Sequence, residues 1–135
     1  MSAEAFLDTN ILLYAIARDD PRTATAEALL ASGGVISAQV LNEFAAVARR
    51  KLGLSWNEVA EALSAIRTLC KPVEPVTVET HEAALHIADR HGYHIYDASI
   101  IAAALQAQCR ILYSEDMQDG RTIDGLTIRN PFATP

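Results

Sequence analysis

A short apolar run that stops abruptly at an acid sets the strongest constraint on this chain. Ala5-Phe6-Leu7 is bulky and brief enough for a buried strand. Asp8-Thr9-Asn10 follows, and then Ile11 to Ala17, which carries no helix breaker for two turns. This order puts Asp8 where a strand ends and a helix begins. In open α/β sheets the carboxyl ends of strands are where ligands bind. The same three polar residues also suit a helix cap, so the stretch alone does not separate a cap from a site. That depends on whether other carboxylates are sent to the same place.

The rest of the chain alternates in the same way. Asp19-Asp20-Pro21 is a turn signal, Thr23 to Ala31 reads as a short helix stopped by Ser32-Gly33-Gly34, and Val35-Ile36-Ser37 is a very short strand. From Ala38 to Leu52, Leu41, Phe44, Ala45, Ala48 and Leu52 form one apolar stripe. Glu43 stands between Val40 and Val47 at the margin of that stripe, so it is not plainly a solvent residue. Arg49-Arg50-Lys51 closes the helix before Gly53; cations there complement the helix dipole, and they also suit contact with a phosphate. Ser55 and Glu58 form a capping box for a helix reaching about Leu69. Trp56, the only tryptophan, reads as a core or interface anchor. Val76-Thr77-Val78 is a short strand or extended connector. Thr80 caps a helix to His91, on which His81 and His86 are too poorly spaced to share a metal.

Ile95 to Leu105 is apolar nearly all round and should be a buried helix, with Asp97 at its head as cap or site residue. Arg110 to Ser114 is a strand that ends, like the first, at a small hydroxyl residue and then acids: Glu115, Asp116 and, one turn on, Asp119. Asp124-Gly125 is a hairpin-type turn before a last strand, Leu126 to Arg129. We see no repeat, low-complexity segment or linker, and the 135 residues fit one domain, 1–135.

Composition narrows the chemistry. No apolar stretch is long enough for a membrane span, and no basic-then-apolar leader opens the chain. Cys70 and Cys109 form no CxxC or zinc-like spacing. A reducing cytoplasm is the simplest setting. The net charge of −6 argues against simple electrostatic binding of nucleic acid. It does not argue against an enzyme whose acids are gathered at a metal, because four metal-neutralised carboxylates would leave about −2 elsewhere.

Strand ends and helix starts share one edge of an alternating α/β sheet. Asp8, Asp97 and the Glu115/Asp116 pair stand at such places, and Glu43 lies beside its helix's buried stripe, so the question is what four carboxylates converging there would do. Such carboxylates repel one another unless a cation is present, and hard divalent cations take oxygen ligands. No GxxxxGK[ST] loop, GxSxG elbow or Cys/His pair offers another chemistry. A carboxylate cage for Mg²⁺ or Mn²⁺ suits phosphodiester hydrolysis by metal-activated water.

The ordered set Leu7-Asp8-Thr9-Asn10, Asn42-Glu43, Tyr96-Asp97-Ala98 and Ser114-Glu115-Asp116 resembles the PIN-domain nucleases, and most closely the VapC-type ribonuclease toxins of toxin–antitoxin systems. The resemblance spans essentially the whole chain. It implies an α/β fold of three layers, α/β/α, with a mostly parallel central sheet between helices. It also implies an Mg²⁺- or Mn²⁺-dependent endoribonuclease with Asp8, Glu43, Asp97 and Asp116 as the acidic quartet around the metal. Thr9 and Ser114 become supporting hydroxyls, and Asn10 orients the first loop. The partners implied are an RNA substrate, a second copy in a homodimer and an antitoxin that occupies the acidic groove. Ser114 stands where the family commonly has Thr, which keeps the hydroxyl. Asp119 rivals Asp116 as the fourth acid. Arg49, Arg50 and Lys51 are candidate RNA-phosphate contacts.

Two other readings compete with this one. The first is a catalytically silent module that binds RNA or a protein partner on the same fold. The second is a small-molecule phosphohydrolase with Asp8 as nucleophile. That chemistry usually has a second acid two residues on, where this chain has Asn10.

Overall fold

The computed structural model describes residues 5–133. Its elements run β1 (Ala5–Leu7), α1 (Thr9–Ile16), α2 (Thr23–Ala31), β2 (Ile36–Ser37), α3 (Ala38–Leu52), α4 (Trp56–Leu69), β3 (Val73–Glu74), α5 (Val78–His91), α6 (Ile95–Gln106), β4 (Ile111–Tyr113), β5 (Thr122–Ile123) and β6 (Leu126–Arg129). A four-stranded sheet has the order β1-β4-β6-β5, and β2 pairs with β3 beside it. A parallel bridge between Phe6 and Val35 joins the two pieces across β1 and β2. All pairings are parallel except β5–β6. The α/β expectation of a mostly parallel central sheet flanked by helices is met.

Burial explains the strand sequences. Parallel strands covered on both faces read as continuous apolar runs rather than alternating ones. Phe6, Leu7, Val35 and Ile36 follow this, whereas β6 alternates, with Leu126 and Ile128 buried and Thr127 and Arg129 less covered. The sheet runs so close to its neighbours that Gly34 has no room for a side chain: an added Cβ would lie 2.9 Å from Leu7 Cγ. Helix α6 is buried continuously from Ala98 to Ala104. Its run of alanines lets α5 and the sheet side approach closely.

Local signals set most of the helix ends. Ser37 caps α3 through Val40 N, and Gly53 ends it in the left-handed conformation at φ +67°. The Ser55/Glu58 capping box forms as the sequence predicts. Asp124 and Gly125, at φ +48° and +88°, make the tight turn between β5 and β6.

Three local expectations need correction. Of the two readings of Val76 to Val78, the extended connector holds for Val76 and Thr77; the strand lies earlier, at Val73–Glu74, and Val78 already opens α5. The cap of α5 is Thr77 rather than Thr80. The two threonines bond reciprocally, and Thr80, inside the helix, also donates to Gln106 Oε1 at 2.8 Å. Of the two readings of Trp56, core or interface anchor, the core one fails, because the residue is 64 % exposed. The Arg49 guanidinium lies over its ring, 4.6 Å from the centroid.

Candidate metal centre

The register of the sheet builds the site. Leu7 pairs with Tyr113 across β1 and β4, and Tyr113 with Arg129 across β4 and β6. The next backbone bonds continue this pattern: Asp8 N donates to Tyr113 O at 3.0 Å and Ser114 N to Arg129 O at 3.0 Å. Asp8 and Ser114 thus stand side by side at the carboxyl edge. The Ser114 hydroxyl donates to Asp8 Oδ2 at 2.6 Å, and Thr9 N donates to Asp8 Oδ1 at 2.7 Å. The second bond makes Asp8 the N-cap of α1. Cap and site residue are one side chain, using different oxygens.

Burial around Asp8 is severe: the residue is 4 % exposed. Desolvation pushes its pKa from 3.8 to about 7, against the lowering effect of the Ser114 and Thr9 bonds. The nearby charges of Asp97 and Glu43 push the same way. Asp97, in the first turn of α6, is half-buried, and its pKa is also raised, first by burial and then by Glu43 and Asp116; His94 opposes the shift. The electrostatic couplings therefore link all four acids, although they come from β1, α3, α6 and the loop after β4.

The four differ in how they are held. Glu43 lies on the inward margin of α3, where Gln39, one turn before it, donates to its Oε1 at 2.8 Å and Thr9 Oγ1 approaches Oε2 at 3.5 Å. Asp116, the most exposed of the four, accepts from Asn10 Nδ2 at 3.0 Å. The same Asn10 accepts from Glu115 N at 3.4 Å, so it ties the head of α1 to the loop after β4. Asp119 is not drawn in. Its Oδ1 accepts from Asn130 N at 2.9 Å, and it is not among the charges acting on Asp8 or Asp97.

A metal was tested against this donor set. Among the described residues no three His, Cys, Asp or Glu side chains converge closely enough to hold an ion directly. Mg²⁺ does not need that many, since it binds through one or two carboxylates and keeps several waters. The Asp97 carboxylate is half-buried, faces two other acids and accepts no hydrogen bond among the described residues. A buried carboxylate without a donor, among like charges, is unfavourable unless a cation balances it. The donors are oxygens throughout, so the residues fit a hard divalent cation.

A cleft of about 400 Å³ opens beside them, with Thr9, Asn10, Glu43 and Asp116 in its walls. Lys51 is the one cation among its described lining residues. The expected basic cluster therefore divides. Arg49 is engaged with Leu54 O at 3.1 Å and the Trp56 ring, whereas Lys51 reaches the acids' cleft. A larger depression of about 820 Å³ lies against α4 and Lys71-Pro72. No acid is among its described lining residues, so the smaller cleft is the chemically relevant one. Sequence reasoning passed over Gln39, although its spacing of four from Glu43 on one helix face was a readable signal.

The fold and the ordered acids define a class. The chain belongs to the PIN domain family, whose model matches residues 5–119. Among solved structures it is similar to Mycobacterium tuberculosis VapC20, a sarcin-ricin loop cleaving toxin, at 29 % identity, covering 83 % of this chain and 89 % of that one, with a TM-score of 0.69. A toxin–antitoxin complex from Klebsiella pneumoniae shares the fold at 19 % identity and a TM-score of 0.72, over 96 % of this chain and 99 % of that one. So does VapBC2 from Rickettsia felis, solved with a DNA fragment from its promoter, at 18 % identity and 0.68, over 93 % and 97 %. No curated protein sequence matches the chain significantly.

Proposed function

We propose that this protein is an endoribonuclease dependent on Mg²⁺ or Mn²⁺, the toxin of a toxin–antitoxin pair, with Asp8, Glu43, Asp97 and Asp116 as its metal-binding and catalytic acids. One observation carries the reading: four carboxylates from separate elements are electrostatically coupled at one sheet edge, and the half-buried Asp97 has no hydrogen-bond donor. A divalent cation bound there supplies a water of lowered pKa and offsets charge on the phosphoryl oxygens.

The chain's own residues do the rest. Ser114 and Thr9 N fix both Asp8 oxygens, so that carboxylate is held in one orientation. Gln39 holds Glu43, and Asn10 holds Asp116. Lys51, in the wall of the cleft, attracts a phosphate of the incoming strand. The surface acids repel polyanions elsewhere, so RNA engages chiefly where the cation and Lys51 are.

The antitoxin's surface follows from an apolar groove between α1, α2 and α4, walled by Ile16, Leu30, Ala62, Ile66 and Leu69. It continues past Ile16 and Ala62 toward Lys51 and Leu52, which border the acid cleft. An amphipathic antitoxin segment seated there, with a basic side chain reaching Glu43 and Asp116, would block the site. We place the protein in the cytoplasm and as a homodimer on the same reading.

The test is RNA cleavage by the wild type and by Asp97→Asn, each with Mg²⁺, with Mn²⁺ or with EDTA. Cleavage is expected only from the wild type with metal. A folded Asp97→Asn protein that cleaves at full Mg²⁺-dependent rate would overturn the assignment. A wild type that binds RNA and never cuts it would make this a silent binding module.

A further inference from the structure

Two acids follow one another after β4, and their side chains do different things. Asp116 joins the electrostatic set at the sheet edge. Glu115 instead enters a cluster that borders the same cleft, whose walls include Tyr14 and Asp20. The Tyr14 hydroxyl donates to Glu115 Oε1, and Arg22 Nη1 donates to Glu115 Oε2 at 3.0 Å. Arg22 also donates to the Tyr14 hydroxyl oxygen at 2.8 Å, and its guanidinium lies over the Tyr14 ring at 3.8 Å. Asp20 fixes Arg22 from the other side, accepting from Nε and Nη2 at 2.9 Å each and from the backbone N at 2.9 Å. Phe132 closes the cluster, its ring edge-on to Tyr14 at 5.2 Å.

Surface ion pairs are usually weak because two long side chains must be ordered for a screened attraction. Here that ordering is shared. One guanidinium serves Asp20, Glu115, the Tyr14 hydroxyl and the Tyr14 ring, so each further contact costs little extra freedom. The planar fork of arginine suits this, and an ammonium does not. Burial and the Glu115 bond push the Tyr14 pKa to about 12, so its hydroxyl stays a donor across the working range.

The placement gives the cluster a mechanical role. Asn10 and Tyr14 lie one turn apart on α1, and both hold the loop after β4: Asn10 grips Glu115 N and Asp116, and Tyr14 grips the Glu115 carboxylate. We propose that Tyr14 and Arg22 are positioning residues that, by clamping Glu115, hold the adjacent Asp116 in place for metal binding. Neither touches the reacting atoms. The inference rests on the metal-nuclease reading above and goes beyond the four acids that define it.

Partners that orient metal ligands typically change metal affinity or activity by about 10–100-fold when removed. The test uses the full chain as wild type, Tyr14→Phe, Arg22→Ala, Arg22→Lys, Glu115→Gln and Asp8→Asn. Mn²⁺ binding is read from the paramagnetic resonance of the free aquo ion, alongside thermal melting and the kcat and KM of RNA cleavage. Tyr14→Phe, Arg22→Ala and Glu115→Gln should weaken Mn²⁺ binding by about tenfold or more and lower kcat with KM nearly unchanged. Arg22→Lys should rescue only part of the loss. Glu115→Gln and Tyr14→Phe keep the shape of the cluster, so they carry the test if Arg22→Ala fails to fold. If the wild type binds Mn²⁺, Asp8→Asn does not, and the clamp variants bind it as tightly as the wild type, the clamp is overturned and the metal reading stands. A wild type that takes up no Mn²⁺ overturns both.

Discussion

In the metal-free protein, Asp8→Asn should raise stability at alkaline pH and leave it nearly unchanged at acid pH. Asp8 is 4 % exposed, and its pKa is raised from 3.8 to about 7, chiefly by burial. Between those values the folded chain holds a proton that the unfolded chain has released. Stability therefore falls as pH rises through this window and levels off above about 7. Raising a carboxyl pKa from 3.8 to about 7 corresponds to at most ~4 kcal/mol. Asparagine keeps the geometry without the charge. Its Oδ1 accepts from Thr9 N and preserves the cap, and its amide donates to Ser114 Oγ once that hydroxyl rotates. Urea unfolding of both chains in EDTA, from pH 4 to pH 8, checks this. The remaining titrating groups are common to both chains, so the difference between the two reports residue 8 together with its coupling to Asp97 and Glu43. It should be near zero at pH 4 and grow to a few kcal/mol in favour of asparagine at pH 8. Adding Mg²⁺ at pH 8 should then stabilise the wild type and not the variant. A difference that does not change with pH, or one that favours the wild type at pH 8, would refute the reasoning.

Other consequences are simpler to measure. Lys51→Ala should weaken RNA binding and reduce its salt dependence by about one counterion, whereas Arg49→Ala should leave that slope unchanged; equal slopes for both would count against Lys51 as the phosphate contact. Gly34→Ala, whose new methyl would press on Leu7 2.9 Å away, should cost about 1–3 kcal/mol in urea unfolding. Ser55→Ala removes the capping-box bond to Glu58 N and should cost about 1 kcal/mol, with cleavage unaffected.

The parts of this fold that could be read from sequence are those with a local cause. Asp8 between an apolar run and a breaker-free helix, Gly53 after a basic last turn, and Ser55 with Glu58 each specify their backbone with residues close by. The alanine-rich α6 announced its burial because no face of it is polar. Val76-Thr77-Val78 misled because β-branched residues look alike in a strand and at a helix start. The strand at Val73–Glu74 exists through its pairing with β2, a contact made across the whole of α3 and α4. Alternation put Asp8, Asp97 and the Glu115/Asp116 pair at strand ends and helix starts; Glu43, in the middle of α3, joined the set only through the family resemblance. Their individual partners could not be read: Gln39 on Glu43, Asn10 on Asp116 and Tyr14 on Glu115 all depend on how α1 and α3 pack. Trp56 shows the reverse error, since a large ring suggests a core, and here it lies outside under an arginine.

The parallel register of β1, β4 and β6 also decides on which side of the sheet β1 starts and β6 stops. β1 begins at the edge of the sheet opposite the acids. β6 runs with it, so it delivers the chain to the acid edge, where Asn130 holds Asp119 and Phe132 packs on Tyr14. Ala5, where β1 starts, lies at the edge of the sheet opposite the cleft, so a purification tag or reporter ahead of it attaches on the far side. The same tag placed after Ala133 leaves beside Tyr14, which lines the acid cleft, and would crowd it. Assays on this protein should therefore be run with amino-terminal fusions, and low activity from a carboxyl-terminal one should be charged first to the tag.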